Sequence, residues 1–172
     1  MLTADMKPSR EAAAQPANGI TPAGKIAIAA ALNAVIADLF ALYVKTKNFH
    51  WHMSGRHFRE YHLLFDDQSG QLLATIDPAA ERVRKLGQST LRSVGHISRL
   101  QRIADNDAQT LTANSMLAEL RGDNSLLIGA LRDVHDVCDR HNDVATASLV
   151  EIWIDEAEGR VWFLAETVEI NT

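Results

Sequence analysis

The sequence predicts an all-α protein, a bundle of four long helices with one long crossover between the second and the third. Three observations carry that reading. After Pro8, Pro16 and Pro22, only Pro78 remains in the rest of the chain, and a long stretch nearly free of proline favours helix because proline removes an amide donor and crowds the preceding turn. Apolar residues recur at spacings of three and four over four long windows. No stretch shows the two-residue alternation of a half-buried strand.

Thr21 followed by Pro22 reads as an N-cap with proline at the first helical position. From there Leu32, Ile36, Leu39, Tyr43, Thr46 and His50 step along one face, which sets a first helix over about 22–52. Gly55 interrupts it. A second helix begins near Phe58 and runs to about Leu86, with Gly87 as its stop. The short connection makes the two antiparallel neighbours. The polar stretch over about 88–113 holds "TLRSVGHISRL", a short helix within a long crossover. "SMLAELRGDNSLLIGALRDVHDVCDR" supplies the third long helix and "VATASLVEIWIDEAEGRVWFLAETVE" the fourth, with "HND" between them. Four helices with one long crossover after the second describe a ferritin-like bundle.

The length of 172 residues suits one domain. Residues 1–20, rich in Ala and Pro with balanced charges, read as a flexible tail before a domain over 21–170. They lack the apolar core of a secretory signal, and the sequence reading finds no run of membrane-spanning length. Cys138 is the only cysteine, so an intrachain disulfide and a thiolate cluster are excluded; this fits a reducing, cytoplasmic setting. A formal charge of -5 argues against a surface that is basic overall.

The chemistry gathers in "NFHWHMSGRHFREYH", residues 48–62, which holds His50, His52, His57 and His62 out of seven histidines in the chain. His62 and Asp66 stand four apart on the second helix, as do Asp77 and Glu81, so each pair shares a face. If the hairpin closes, His50 comes beside His62, and two imidazoles with one carboxylate suit an oxygen-reactive ferrous ion. Asp66 and Asp77 are eleven residues apart, which at helical rise is roughly 16 Å. Bonds to a metal are near 2 Å, so no small centre takes both pairs from one chain. Either one pair is not a ligand pair, or the site is shared. Two second helices crossing antiparallel about a two-fold axis would bring the His62/Asp66 end of each to the Asp77/Glu81 end of the other. Taken singly, His50 reads as a hydrogen-bonded core residue and the carboxylates as a solvated face, with Glu81 paired to Arg84 or Lys85.

"NFHW" at 48–51, Gly55, Phe58, His62, Asp66, Asp77 and "AER" at 80–82 resemble the signature of the Dps mini-ferritins, the DNA-binding proteins from starved cells. The resemblance covers about residues 21–170. It implies that His50, His62 and Asp66 match the ferroxidase ligands supplied by one subunit, and Asp77 and Glu81 those supplied by its neighbour. It further implies a hollow dodecamer, oxidation of Fe(II) preferentially by hydrogen peroxide, storage of ferric mineral and protection of DNA. Trp51 then reads as a trap for stray oxidising equivalents or as a packed interface aromatic, and His52 as a group behind the ligands. His57 falls away from the His62 face.

The chain departs from that pattern in three places. Pro78 lies between Asp77 and Glu81 and removes the amide bond to residue 74, a change that can kink the helix axis and reshape the shared site. Asp139 and Asp143 match positions of an acidic iron-entry pore, yet Ser148 stands where an aspartate is often found; both aspartates read equally as ordinary residues around a helix connection. The tail offers Lys7 and Arg10 against Asp5 and Glu11, so DNA binding is expected to be sequence-independent and weak, raised by avidity at low salt and placing the protein at the nucleoid. A DNA-compacting protein with an idle metal site is the competing function. A di-iron centre inside one bundle needs Glu-x-x-His, which the chain lacks.

Overall fold

The structure is a computed structural model and describes residues 18–167. The expected tail therefore lies outside the described residues up to position 17, as does the expected end of the domain beyond 167. Five helices follow in order: α1 (Pro22–His52), α2 (Phe58–Lys85), α3 (Val94–Leu100), α4 (Ala113–Arg140) and α5 (Val144–Thr167). No strand occurs among the described residues. The four long helices and the short one in the crossover stand where the sequence reading put them.

Local chemistry fixes the boundaries. The Thr21 hydroxyl accepts from the Gly24 amide at 3.1 Å, with Pro22 at the first helical position. Gly87 ends α2 with a φ of 80°, and the Gln88 amide reaches back to the Val83 carbonyl at 3.2 Å. That left-handed residue closes a Schellman turn that a side chain would strain. Ser93 caps α3 and Thr112 caps α4 through their hydroxyls. Asp143 caps α5, accepting from the Thr146 amide at 3.1 Å.

Two antiparallel hairpins, α1 with α2 and α4 with α5, pack with α1 against α4. Phe49, Phe65, Leu32, Leu39, Leu72 and Leu120 are among the large side chains fully buried between them, each worth about 1.5–3 kcal/mol of apolar transfer. Leu32 and Leu39 on α1, and Phe65 and Leu72 on α2, stand seven residues apart, about two turns, which turns one stripe of each helix inward. The crossover is pinned to α1 by Asp38, which accepts from the Arg102 amide at 2.6 Å and from its guanidinium at 2.9 and 2.5 Å.

Pro78 lies inside α2, which continues as helix through it. Pro78 and Ala74 both lie on the exposed face, so the carbonyl that loses its amide donor stays open to water, where the loss is cheap. In addition, α1 is long and apolar enough by length and composition to cross a membrane, contrary to the sequence reading. The helix packs against α2, α4 and α3, and half of that window is buried inside the bundle. It also carries Asp38 and Lys45 as buried charges, which fits a core helix.

Candidate metal centre

The α1–α2 hairpin brings the end of one helix against the start of the next, and there His50 meets His62. The rings stack at 3.7 Å between centroids, with 21° between planes. Each is held by the other's backbone: Nδ1 of His50 lies 2.8 Å from the His62 carbonyl, and Nδ1 of His62 lies 2.9 Å from the His50 carbonyl. A carbonyl only accepts, so each Nδ1 carries the proton and donates. In the neutral rings this leaves the lone pair on Nε2, the state a metal ligand needs.

Asp66, one turn beyond His62, places Oδ1 at 4.0 Å from Nε2 of His50. Its side chain is half exposed, and Lys47 of α1 donates to the same oxygen at 2.5 Å. The Lys47 hydrogen bond, aided by the charges of Lys47, His50 and His62, holds the Asp66 carboxyl below the usual carboxylate range. Lys47 is the residue that sequence reasoning missed. It sits one turn before His50 on the same helix, but only the closed hairpin shows it reaching across to Asp66.

Asp77 and Glu81 are exposed further along α2. Glu81 accepts from Lys85 at 3.0 Å, the bland pairing the sequence allowed. Among the described residues no three His, Cys, Asp or Glu side chains of the chain gather closely enough to hold a metal ion. One chain thus carries two groups of ligand-type side chains: His50 of α1 with His62 and Asp66 near the start of α2, and the carboxylate pair Asp77 and Glu81 roughly three turns further along α2.

Among the described residues the bundle interior offers no competing centre. Where the helices face one another, Arg160 is buried, donating to Asn124 Oδ1 at 2.8 Å, while Gln68 donates to the Arg160 carbonyl at 3.2 Å. Burial lowers the Arg160 guanidinium to about 10. Amides and a cation in place of carboxylates exclude a di-iron site at that point.

The remaining candidates separate. His52 is exposed and its Nδ1 is tied to the Asn48 carbonyl of its own helix at 2.8 Å. Trp51 is 65% exposed and, with Val44 and Val94, lines a groove of about 870 Å³ between α1 and the crossover. His57 caps α2 and tilts against Tyr61 at 5.6 Å, apart from His62. Asp139 is exposed and lies 3.3 Å from His135 Nδ1. Asp143 is held differently from Asp139. It is buried, its carboxylate pairs with Arg82 at 2.6 Å and also accepts from the Thr146 hydroxyl and amide, so its charge is spent on the α4–α5 turn. The "HND" connection needed an N-cap, and Asp143 supplies it.

A model of the ferritin-like domain matches residues 29–171. The DNA protection during starvation protein of Brevibacillus brevis is 31% identical over 143 residues, covering 83% of this chain and 95% of that protein. Among solved structures, DpsC from Streptomyces coelicolor superposes with a TM-score of 0.86 at 27% identity, covering 91% of each chain. The Dps protein of Vibrio cholerae O1, described as a member of a broad superfamily of ferritin-like diiron-carboxylate proteins, gives 0.84 at 25% identity over 90% of this chain and 96% of that one. With these likenesses, the ferritin-like fold and the signature around His50 and His62, the chain belongs to the Dps family of ferritin-like proteins.

Proposed function

We propose that the protein is a ferroxidase and iron store that protects DNA by removing Fe(II), its substrate, together with the oxidant. The observation that carries this is the donor arrangement on α2. His50 of α1 sets Nε2 4.0 Å from Asp66 Oδ1 and stacks on His62, while Asp77 and Glu81 are exposed further along the helix that carries His62 and Asp66, too far off to grip the same ion. A two-fold mate supplies the missing carboxylates to each end, giving two identical centres per pair of chains. The membership described above, and the diiron-carboxylate description of the Vibrio cholerae relative, support iron as the metal.

At such a centre two ferrous ions give one electron each to hydrogen peroxide, the preferred oxidant. The O–O bond breaks, two protons are taken up and two waters leave, so no hydroxyl radical is released. Carboxylates from both chains favour the ferric product. Pairs of chains assemble into a hollow dodecamer that holds the mineral. The apolar groove at Trp51, Val44 and Val94 adjoins the histidine end, and it suits burial against the mate. Asp139, beside His135 and Glu151, is the remaining acidic group for an entry pore.

Complementation tests the shared site. His62→Ala and Glu81→Ala each lower peroxide-driven ferrous oxidation by about 100-fold, since loss of even a group behind a ligand costs 10–100-fold. When the two variants are refolded together, half of the pairs are mixed, and each mixed pair keeps one intact centre. Activity then returns to about a quarter of the wild-type value. A mixture no more active than either variant overturns the shared centre. Light scattering that finds monomers overturns the assembly.

A further inference from the structure

Five charged side chains are buried among the described residues: Asp38, Lys45, Asp123, Asp143 and Arg160. Four of them hold a countercharge. Asp38 meets Arg102 at 2.5 Å, Lys45 and Asp123 meet each other at 2.6 Å, and Asp143 meets Arg82 at 2.6 Å. Arg160 differs. It is 3% exposed, and among the described residues it meets amide oxygens and no carboxylate. Nε donates to Asn124 Oδ1 at 2.8 Å, and Nη1 reaches Gln71 Oε1 at a long 3.5 Å. Glu156, one turn earlier on α5, acts on the guanidinium through space. Burying a cation is costly unless an anion beside it offsets the lost hydration, so arginine is almost never fully buried without one.

We infer that the Nη edge of Arg160, in the seam between α2 and α5, binds a small oxyanion, a phosphate or a carboxylate. The site serves no step of the ferroxidase reading and does not rest on it. Nε is taken, which leaves the two Nη groups as a planar fork that matches two oxygens of one anion. The way in passes Gln71, an exposed residue of α2 whose contact with Nη1 is at the limit of a hydrogen bond. Once Gln71 turns aside, its own amide can donate to the same anion. Gly159, next to Arg160 on α5, leaves open space where a Cβ would stand. At 3% exposure the guanidinium is out of reach of a polymer backbone or a lipid headgroup, so the ligand is small. One fork, with Glu156 close by, makes a weak site. Gln71 stands five residues after Asp66 and six before Asp77, a turn of about 120–140° around α2 from the line proposed to meet the two-fold mate. The seam is therefore not the face that the mate covers.

The test uses the full chain beside Gln71→Glu and Arg160→Gln. The urea midpoint of each is measured in inorganic phosphate, in acetate and in chloride at matched ionic strength, and phosphate affinity is read by calorimetry. General salt effects act on all three chains alike, whereas a bound anion lifts the midpoint of the wild type in proportion to its occupancy. The wild type is therefore expected to gain more in phosphate or acetate than in chloride, and the larger of the two gains names the oxyanion. Gln71→Glu sets a carboxylate where the anion would sit, on an exposed helix position that keeps the fold. It should raise the midpoint in chloride and weaken phosphate binding at least about tenfold, as loss of a hydrogen bond to a charged group requires. Arg160→Gln should lose the response as well. Ferrous oxidation in phosphate-free buffer should stay at the wild-type rate in both variants, which separates this site from the ferroxidase centre. A wild type that responds no more to phosphate or acetate than to chloride overturns the site. So does a phosphate response that survives unchanged in Gln71→Glu, which decides the matter alone where Arg160→Gln does not fold.

Discussion

Lys45 and Lys47 stand two residues apart on α1 and do opposite things. Lys45 points inward, 4% exposed at its side chain, and is gripped by Asp123 at 2.6 Å and Glu119 at 2.9 Å from α4. Lys47 points to the other hairpin partner and shares Asp66 at the edge of the histidine pair. Two residues along a helix rotate a side chain by more than half a turn, so each lysine faces a different neighbour. The first pair is sealed, and removing one member strands a charge in the core. The second is open to water and exchangeable, and it favours the ionised form of Asp66; at the site proposed above, the ammonium would be a placeholder for the metal cation. The same ion-pair chemistry is sealed into the core in one case and left exchangeable in the other; the surroundings decide which.

Substitutions at the two lysines sharpen that contrast. Lys45→Ala is expected to destabilise the fold most, by about 3 kcal/mol, read as a fall in the denaturant midpoint. Burial already pushes the Asp123 carboxyl up from 3.8 against the pull of Lys45. A carboxyl raised in the folded state binds its proton more tightly there than in the unfolded chain, so stability rises as pH falls toward 3.8. The deficit of Lys45→Ala relative to wild type should therefore narrow in acid, where the stranded Asp123 is protonated. A deficit that widens would break the comparison.

Lys47→Ala should leave the denaturant midpoint where it was and act on the metal instead. Without the competing ammonium, ferrous binding measured anaerobically should tighten by roughly threefold, in keeping with the small worth of an exposed ion pair. Asp66, now lowered chiefly by the Lys47 hydrogen bond, would titrate closer to its ordinary value. Because the ligand must be ionised, binding in the variant should then be lost at a less acidic pH than in wild type. Weaker ferrous binding at neutral pH would make Lys47 a supporting group rather than a placeholder.

The smallest effect is expected at a third ion pair that serves neither role. The His135 hydrogen bond to Glu151 at 3.0 Å, with the charges of Asp139, Glu151 and Asp136, raises the imidazole above 6.5. Its stabilising contribution is present below 6.5 and is lost as pH rises through the raised value. Glu151→Gln should bring the ring titration, followed by NMR, back toward 6.5, without moving ferrous oxidation.

Much of the molecule was legible in residue order because helices are local. Thr21 before Pro22, Gly55 and Gly87 mark starts and stops through their own backbone preferences, and the three-and-four spacing of apolar residues names the buried stripe. The candidate donors were legible for the same reason: His62 with Asp66, and Asp77 with Glu81, are neighbours on any helix. The eleven residues between Asp66 and Asp77 set a distance that no packing can shorten.

What residue order could not supply depends on which surfaces meet. Nothing local distinguishes Lys45 from Lys47, or Asp143, spent on Arg82 and on a cap, from the open Asp139. The reciprocal grip of the two imidazoles on each other's carbonyls exists only because the hairpin closes. That α2 continues through Pro78 has a reason of the same kind, since the carbonyl it orphans faces water. Local rules fix the rods and their donor spacings; burial and partnership, which are set across tens of residues, decide what each charge is for.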